Sequence, residues 1–280
     1  MKNSEKTIRE TINSIVNQDF SHEQIEIIVV KGESKDRTMP IIKEILSKTD
    51  IRVKIFSDNG EGLGVARQIV VDEANSKYIL WIDGDVVVSR DLIRKQVDFM
   101  ERNPHVGISA GKMMFRQQTG VVGTLNALFQ YTIEGRIGCH ATMYRTKAIR
   151  EIGGFDKEIK GASEDSDAQF RIKQNDWSVC VNQEARWYHN CRDELRDLWN
   201  ERFWFGYGDY YMYHKHKNAR RHIKNMAPFL FSISGLQHSL RAYKQTHLKK
   251  SFLLPILCFV MSISWLSGFV KARLDGYTHA

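Results

Sequence analysis

Three short β-prone runs, residues 25–30, 53–56 and 78–82, alternate with segments of helical periodicity, and that alternation admits few architectures. Ile8, Ile12, Ile15 and Val16 put one apolar face on a first helix. A second helix opens near Thr38, and a third runs from about Gly64 to Ala74. Beyond the third run, Ile93, Val97 and Met100 mark the face of a further helix. After Pro104 the pattern is less regular. Residues 138–144, 179–181 and 185–188 read as extended, and residues 146–152, the surroundings of Ala168 and Ile172, and residues 195–214 as helical. The order predicts an α/β fold with a mostly parallel sheet flanked by helices.

The third run, Tyr78-Ile79-Leu80-Trp81-Ile82, stops abruptly on Asp83-Gly84-Asp85. In open α/β sheets the ligand crevice lies beyond the carboxyl ends of the strands. Two carboxylates spaced by one glycine can share a hard divalent cation that keeps positions open for water or phosphate oxygens. Gly84 lets the backbone bend close to whatever is bound. Asp and Gly are also ordinary turn residues, so the triplet taken alone leaves a solvated turn open.

The net charge of +8 is unevenly placed. Residues 214–280 hold eleven Lys/Arg against one Asp, while the preceding residues hold 30 against 32 Asp/Glu. A basic tail suits anionic lipid or nucleic acid. No RNA- or DNA-binding motif is present and the presumed site lies in the slightly acidic part, so nucleic acid is not an expected partner. Residues 252–270 contain no charge and are flanked by Lys249, Lys250, Lys271 and Arg273. At about 1.5 Å per residue such a stretch reaches across roughly one hydrocarbon core, which predicts a membrane helix; a buried hairpin or dimerisation helix is the alternative. Cys139, Cys180, Cys191 and Cys258 show neither metal-ligand nor disulfide spacing, which fits reduced cytosolic thiols. The expected division is a domain over residues 1–213 and a basic linker with a hydrophobic helix over residues 214–280.

Several short motifs recur in one order: Asn3-Ser4-Glu5-Lys6-Thr7-Ile8, Glu26-Ile27-Ile28-Val29-Val30, Gly64-Val65-Ala66-Arg67, Asp83-Gly84-Asp85, Ile152-Gly153-Gly154-Phe155-Asp156, Glu164-Asp165 and Tyr188-His189. Together they resemble the family 2 glycosyltransferases over residues 3–210. The resemblance implies the GT-A fold and a nucleotide-diphosphate sugar donor. It implies that Asp83 and Asp85 hold Mg2+ or Mn2+ against the donor diphosphate, with His189 as a third ligand or a diphosphate contact. Arg67, Gly64, Asp83 and Asp58 then belong to the donor site. Asp165 is the implied general base, with Glu164 beside it to raise its pKa. The implied chemistry is an inverting displacement onto an acceptor hydroxyl or lipid phosphate, on the cytoplasmic side of a membrane. Bland roles exist for the same residues: a helix N-terminus enriched in acids for Glu164 and Asp165, a solvated helix face for Arg67, and a satisfied core histidine for His189.

Three departures from the family pattern stand out. Met1-Lys2 leads straight into the Asn3 motif, where members usually have an apolar strand, so the expectation is either a chain that starts late or a fold that lacks that first strand. Lys31-Gly32-Glu33-Ser34 stands where Asp-Asp-Gly-Ser is usual, which removes the carboxylate expected to read uridine. Gln183-Glu184-Ala185-Arg186-Trp187 matches the Gln-x-x-Arg-Trp motif of processive synthases, but it follows Asp165 too soon and reads as coincidence. The alternative function is a non-catalytic, membrane-associated module of the same fold.

Overall fold

The computed structural model describes residues 3–133, 137–159, 161–216 and 228–278. They fall into two compact units, one from residues 1–114, 137–157 and 164–190, the other from residues 115–136, 158–163 and 191–280.

The first unit begins with the expected alternation: α1 (Ile8–Val16), β1 (Glu26–Lys31), α2 (Thr38–Leu46), β2 (Arg52–Ser57), α3 (Leu63–Glu73) and β3 (Tyr78–Trp81). It continues with β4 (Val86–Val88), α4 (Leu92–Arg102) and β5 (Val106–Met114). After α5 (Gly120–Thr132), which belongs to the second unit, come β6 (Thr142–Arg145), α6 (Thr146–Glu151), α7 (Glu164–Gln174) and β7 (Ser178–His189). β1 and β2 form a parallel pair. The other strands form one sheet in the order β3-β6-β5-β7-β4. In that sheet β5/β7 is parallel, whereas β3/β6, β5/β6 and β4/β7 are antiparallel. The sheet is therefore mixed, which corrects the expectation of a mostly parallel one. Side-chain periodicity reports which face a strand buries, not the direction in which it is laid down.

Among the described residues no strand precedes α1, and no ladder joins β1 to β3. Alternate side chains of β1 face two different cores. Ile28 packs against Val71, Ile79, Trp81, Tyr144 and Phe155, while Ile27 and Val29 join Ile8, Ile12 and Ile42 from α1 and α2.

The sequence pattern missed β5, and its surroundings show why. Its first six residues are all buried, so no period-2 alternation exists to be read. Neighbours crowd its glycines: a Cβ on Gly107 would lie 2.8 Å from the Trp177 Cβ, and one on Gly111 2.9 Å from the Ala185 oxygen. The two extended pieces foreseen near the end of this unit are one strand, β7, irregular between Asn182 and Arg186. Exposed Gln183 and Glu184 fall within that irregularity, while Trp187 is buried in the core around Val86 and Leu92.

The second unit is helical, combining α5 with α8 (Leu195–Lys215), α9 (Pro228–Thr246) and α10 (Leu254–Leu274). Leu125, Leu128, Phe129, Leu198, Leu257 and Met261 lie in its core. The backbones of α8 and α10 nearly touch: a Cβ on Gly206 would sit 1.8 Å from the Trp265 oxygen, and one on Gly268 1.9 Å from the Phe203 oxygen. Among the described residues, Lys249–Leu274 is the one helical stretch long and apolar enough to cross a membrane, by length and composition.

Candidate active site

The Asp83-Gly84-Asp85 turn links β3 to β4, and the start of the chain clamps it. Thr7 and Thr11 both donate their hydroxyls to the Gly84 oxygen, at 2.7 and 3.1 Å. A Cβ on Gly84 would come within 2.8 Å of the Ser4 hydroxyl, so a larger residue would push the turn off its clamp. The pairing of Val86 with His189 then brings the end of β7 alongside, and the Asn190 amide donates to the Asp85 oxygen at 2.8 Å.

Two acid–imidazole pairs result. The His140 Nδ1 lies 2.8 Å from Asp83 Oδ2, close enough for an ion pair although not aligned as a hydrogen bond. The His189 Nε2 lies 3.4 Å from Asp85 Oδ1. The imidazole rings are themselves neighbours, with centroids 5.6 Å apart, and His140 stacks at 5.8 Å on Trp187. Trp187 is fixed in turn by donating its Nε1 to the Gly111 oxygen at 2.8 Å.

Arg67 connects this turn to α7. Its Nη2 donates to Asp83 Oδ1 at 3.0 Å and its Nε to Glu164 Oε1 at 3.2 Å, and its guanidinium lies 5.0 Å from the centre of the Trp81 ring. Burial works to raise the Asp83 pKa, but the Arg67 charge and the His140 imidazole outweigh it and hold the carboxyl well below the usual range. Glu164 goes the other way. Burial, then the neighbouring Asp165 charge, push it up to about 7 despite Arg67. Asp165 accepts from the Cys139 amide at 3.2 Å through Oδ2 and from the Ser166 amide at 2.7 Å through Oδ1. Gly138 forms a floor here, since a Cβ on it would lie 3.0 Å from Asp165 Oδ2 and 3.3 Å from His140 Nε2.

The structure thus gathers Arg67, Asp83 and Glu164 into one hydrogen-bonded chain, with Asp165 next to Glu164 and the Asp85–His189 pair on the same turn. Gly64 lies buried in the first turn of α3, three residues before Arg67. Asp58 directly follows β2; its amide donates to the Lys31 oxygen at 3.1 Å and its carboxylate accepts from the Gly60 amide at 3.1 Å. His140 was not among the residues expected from the sequence. It falls inside the piece read as extended, two residues before β6 begins, and only the β3/β6 pairing brings it to Asp83.

Whether a divalent cation suits these side chains can be judged from the donors. Asp85 and His189 present an oxygen and a nitrogen 3.4 Å apart, a spacing that two ligands of one ion can have. Among the described residues no cluster of three or more His, Cys, Asp or Glu is arranged to hold a metal ion. The pair is therefore a partial set, which phosphate oxygens and water would have to complete.

A family model described as Glycosyl transferase family 2 matches residues 1–153, and one described as Glycosyl transferase family group 2 matches residues 78–271. The poly(ribitol-phosphate) beta-N-acetylglucosaminyltransferase TarS of Staphylococcus aureus is 26% identical over 174 residues, covering 58% of this chain and 29% of TarS. The poly-beta-1,6-N-acetyl-D-glucosamine synthase of Staphylococcus epidermidis is 20% identical over 216 residues, covering 71% of this chain and 50% of the synthase. The chain thus spans half or less of the length of these curated relatives. In fold it is similar to the mannosyltransferase PcManGT of Pyrobaculum calidifontis, solved with GDP-Man and Mn2+ (TM-score 0.68, 15% identity, 96% of this chain and 84% of that one). It is also similar to residues 1–349 of TarS solved with UDP-GlcNAc (TM-score 0.55, 17% identity, 98% of this chain and 90% of that one).

Proposed function

The chain belongs to glycosyl transferase family 2, and from that premise we propose that it moves a sugar from a nucleotide-diphosphate donor to an acceptor hydroxyl or lipid phosphate, with Mg2+ or Mn2+ and with inversion at the anomeric carbon. The observation that carries the reading is the chain of contacts around the Asp83-Gly84-Asp85 turn, from His140 through Asp83 and Arg67 to Glu164. The nucleotide sugars bound by TarS and PcManGT support the donor class, and the Mn2+ of PcManGT supports the cation.

In this reading Asp85 and His189 would hold the cation together with donor oxygens, and Asp83 would add a second carboxylate to the same turn. Once bound, the ion offsets charge on the departing nucleoside diphosphate. Arg67 supplies further positive charge at the diphosphate. Gly64, in the first turn of α3, leaves the amides of that helix N-terminus open to a phosphate, and Asp58 lies on the donor side. Asp165 takes the proton from the acceptor hydroxyl. Glu164, protonated below about pH 7, spares Asp165 a second negative charge at its side. The apolar Lys249–Leu274 stretch suits association with a membrane, with the site facing the cytoplasm.

A donor panel tests the proposal. The full chain is incubated with UDP-GlcNAc, GDP-Man and other nucleotide sugars, with Mn2+ or with chelator, and released nucleoside diphosphate and sugar are followed by mass spectrometry. Mn2+-dependent release from at least one donor supports transfer chemistry. Silence with every donor would leave a non-catalytic module of the same fold.

A further inference from the structure

Helix α10 is apolar along most of its length, yet the described residues cover only one of its sides. Leu257, Met261, Trp265 and Gly268 are buried. Phe252, Ile256, Phe259, Leu266 and Val270 are 41–63% exposed and recur at three-, four- and seven-residue steps, so they form one stripe. On α9, Ile233, Leu236 and Leu240 repeat the pattern at 46–57% exposure. A Tyr243–Phe252 ring contact at 5.2 Å joins the two stripes. Exposed cations border them: Arg241 and Lys244 on α9, Lys249 and Lys250 before α10, and Lys271 and Arg273 at its end.

We propose that this surface docks onto one leaflet of an anionic membrane, with α10 lying in the plane of the interface instead of crossing the bilayer. The inference rests on the membrane association proposed above and specifies its form. Length and composition permit a crossing, but the packing of α10 opposes it. Its covered side is bonded to α8: the Ser264 hydroxyl donates to the Trp199 oxygen at 2.6 Å, and the Trp265 Nε1 donates to Asp209 Oδ2 at 2.7 Å. The close approaches at Gly206 and Gly268 weld the same two helices. A crossing would either draw Glu201, Arg202 and Asp209 of α8 into hydrocarbon or strip α10 of those partners. Lying flat costs neither. The apolar stripe enters the acyl boundary and the bordering cations meet anionic headgroups.

The test uses the full chain and sealed vesicles of phosphatidylcholine, with or without phosphatidylglycerol. In flotation the protein should follow vesicles containing phosphatidylglycerol and bind pure phosphatidylcholine more weakly. The double variant Ile256→Glu, Phe259→Glu should lose about tenfold or more of that binding, since it places two charges on the inserting stripe. Far-UV circular dichroism matching wild type establishes that it is folded, and its donor turnover without vesicles tests the sugar-transfer reading separately. Topology is read with Lys250→Cys and Leu274→Cys, one near each end of α10 and both outside the inserting stripe. An impermeant maleimide added outside should label both above the wild-type background. Protection of one end would mean a crossing and overturn the proposal. Unchanged flotation of the double variant, together with conversion of a wild-type dimer to monomer in light scattering, would assign the stripe to a subunit interface and also overturn it.

Discussion

Replacing Glu164 by Gln removes one ionisable group from the buried cluster while keeping its shape, so its effect on stability should follow pH in a defined direction. Glu164 is 3% exposed, and burial with the adjacent Asp165 charge moves its pKa from 4.5 to about 7. Between those two values the native state holds a proton that the unfolded chain has already released. Stability from this group is therefore fully present below the lower value and is lost as pH rises through the higher one. At about 1.4 kcal/mol per pKa unit, the loss between about pH 4 and about pH 8 comes to about 3 kcal/mol. Glu164→Gln cannot ionise, and its amide oxygen can still accept from Arg67. Its stability relative to wild type should therefore rise by about 3 kcal/mol across the same window. Urea titrations at a series of pH values, followed by tryptophan fluorescence, measure the difference. Parallel pH curves for the two proteins would refute the raised pKa, and with it a protonated Glu164 near neutrality.

Asp85→Asn should abolish Mn2+-dependent donor binding in calorimetry, because a neutral amide replaces a charged oxygen ligand; full turnover in that variant would remove Asp85 from the metal role. Asp165→Asn should leave donor affinity nearly intact and lower transfer by about a hundredfold or more, the usual scale for losing a general base. An equal loss of donor binding would place Asp165 in the donor pocket instead. Gly268→Ala puts a methyl group 1.9 Å from the Phe203 oxygen and must push α8 and α10 apart. It should cost about 3 kcal/mol, seen as a lower thermal midpoint, and an unchanged midpoint would show that the two backbones are not in contact.

What could be read in advance was the local part. β1, β2 and β3 were legible as apolar runs bounded by polar loops, and the carboxylates fell at the end of β3 because a buried strand has to stop where its charges begin. The long-range part was not legible. β5 is buried on both sides and rich in small residues, so it has no alternation to detect. His140 acquires its place from strand pairing across some sixty residues of chain, and no local spacing announces it. Asp83 and Glu164 move in opposite pKa directions because Arg67 and His140 outweigh burial at the first, while burial and the Asp165 charge outweigh Arg67 at the second, and that arrangement depends on α3 and α7 meeting at the same turn. The lone apolar stretch near the end could be recognised by composition, but which of its faces is covered depends on α8, far earlier in the chain.

The interval between β1 and β3 has a mechanical consequence. The β1–β2 pair ends at Lys31 and Ser57, next to Asp58, while β3 of the larger sheet ends at Trp81, two residues before Asp83. In a continuous sheet these two walls would be stitched by backbone hydrogen bonds and would move as a plate. Here no ladder joins them among the described residues; they are linked by the packing of Ile28 and by the α1 segment, which packs on Ile27 and Val29 and donates from Thr7 and Thr11 to the Gly84 oxygen. Side-chain packing yields to small rotations more readily than a ladder does, and among the described residues β1 and β2 have only each other as ladder partners. Amides of β1 and β2 should then exchange with deuterium ahead of those in β5, and a molecule gripped by both walls should slow them selectively.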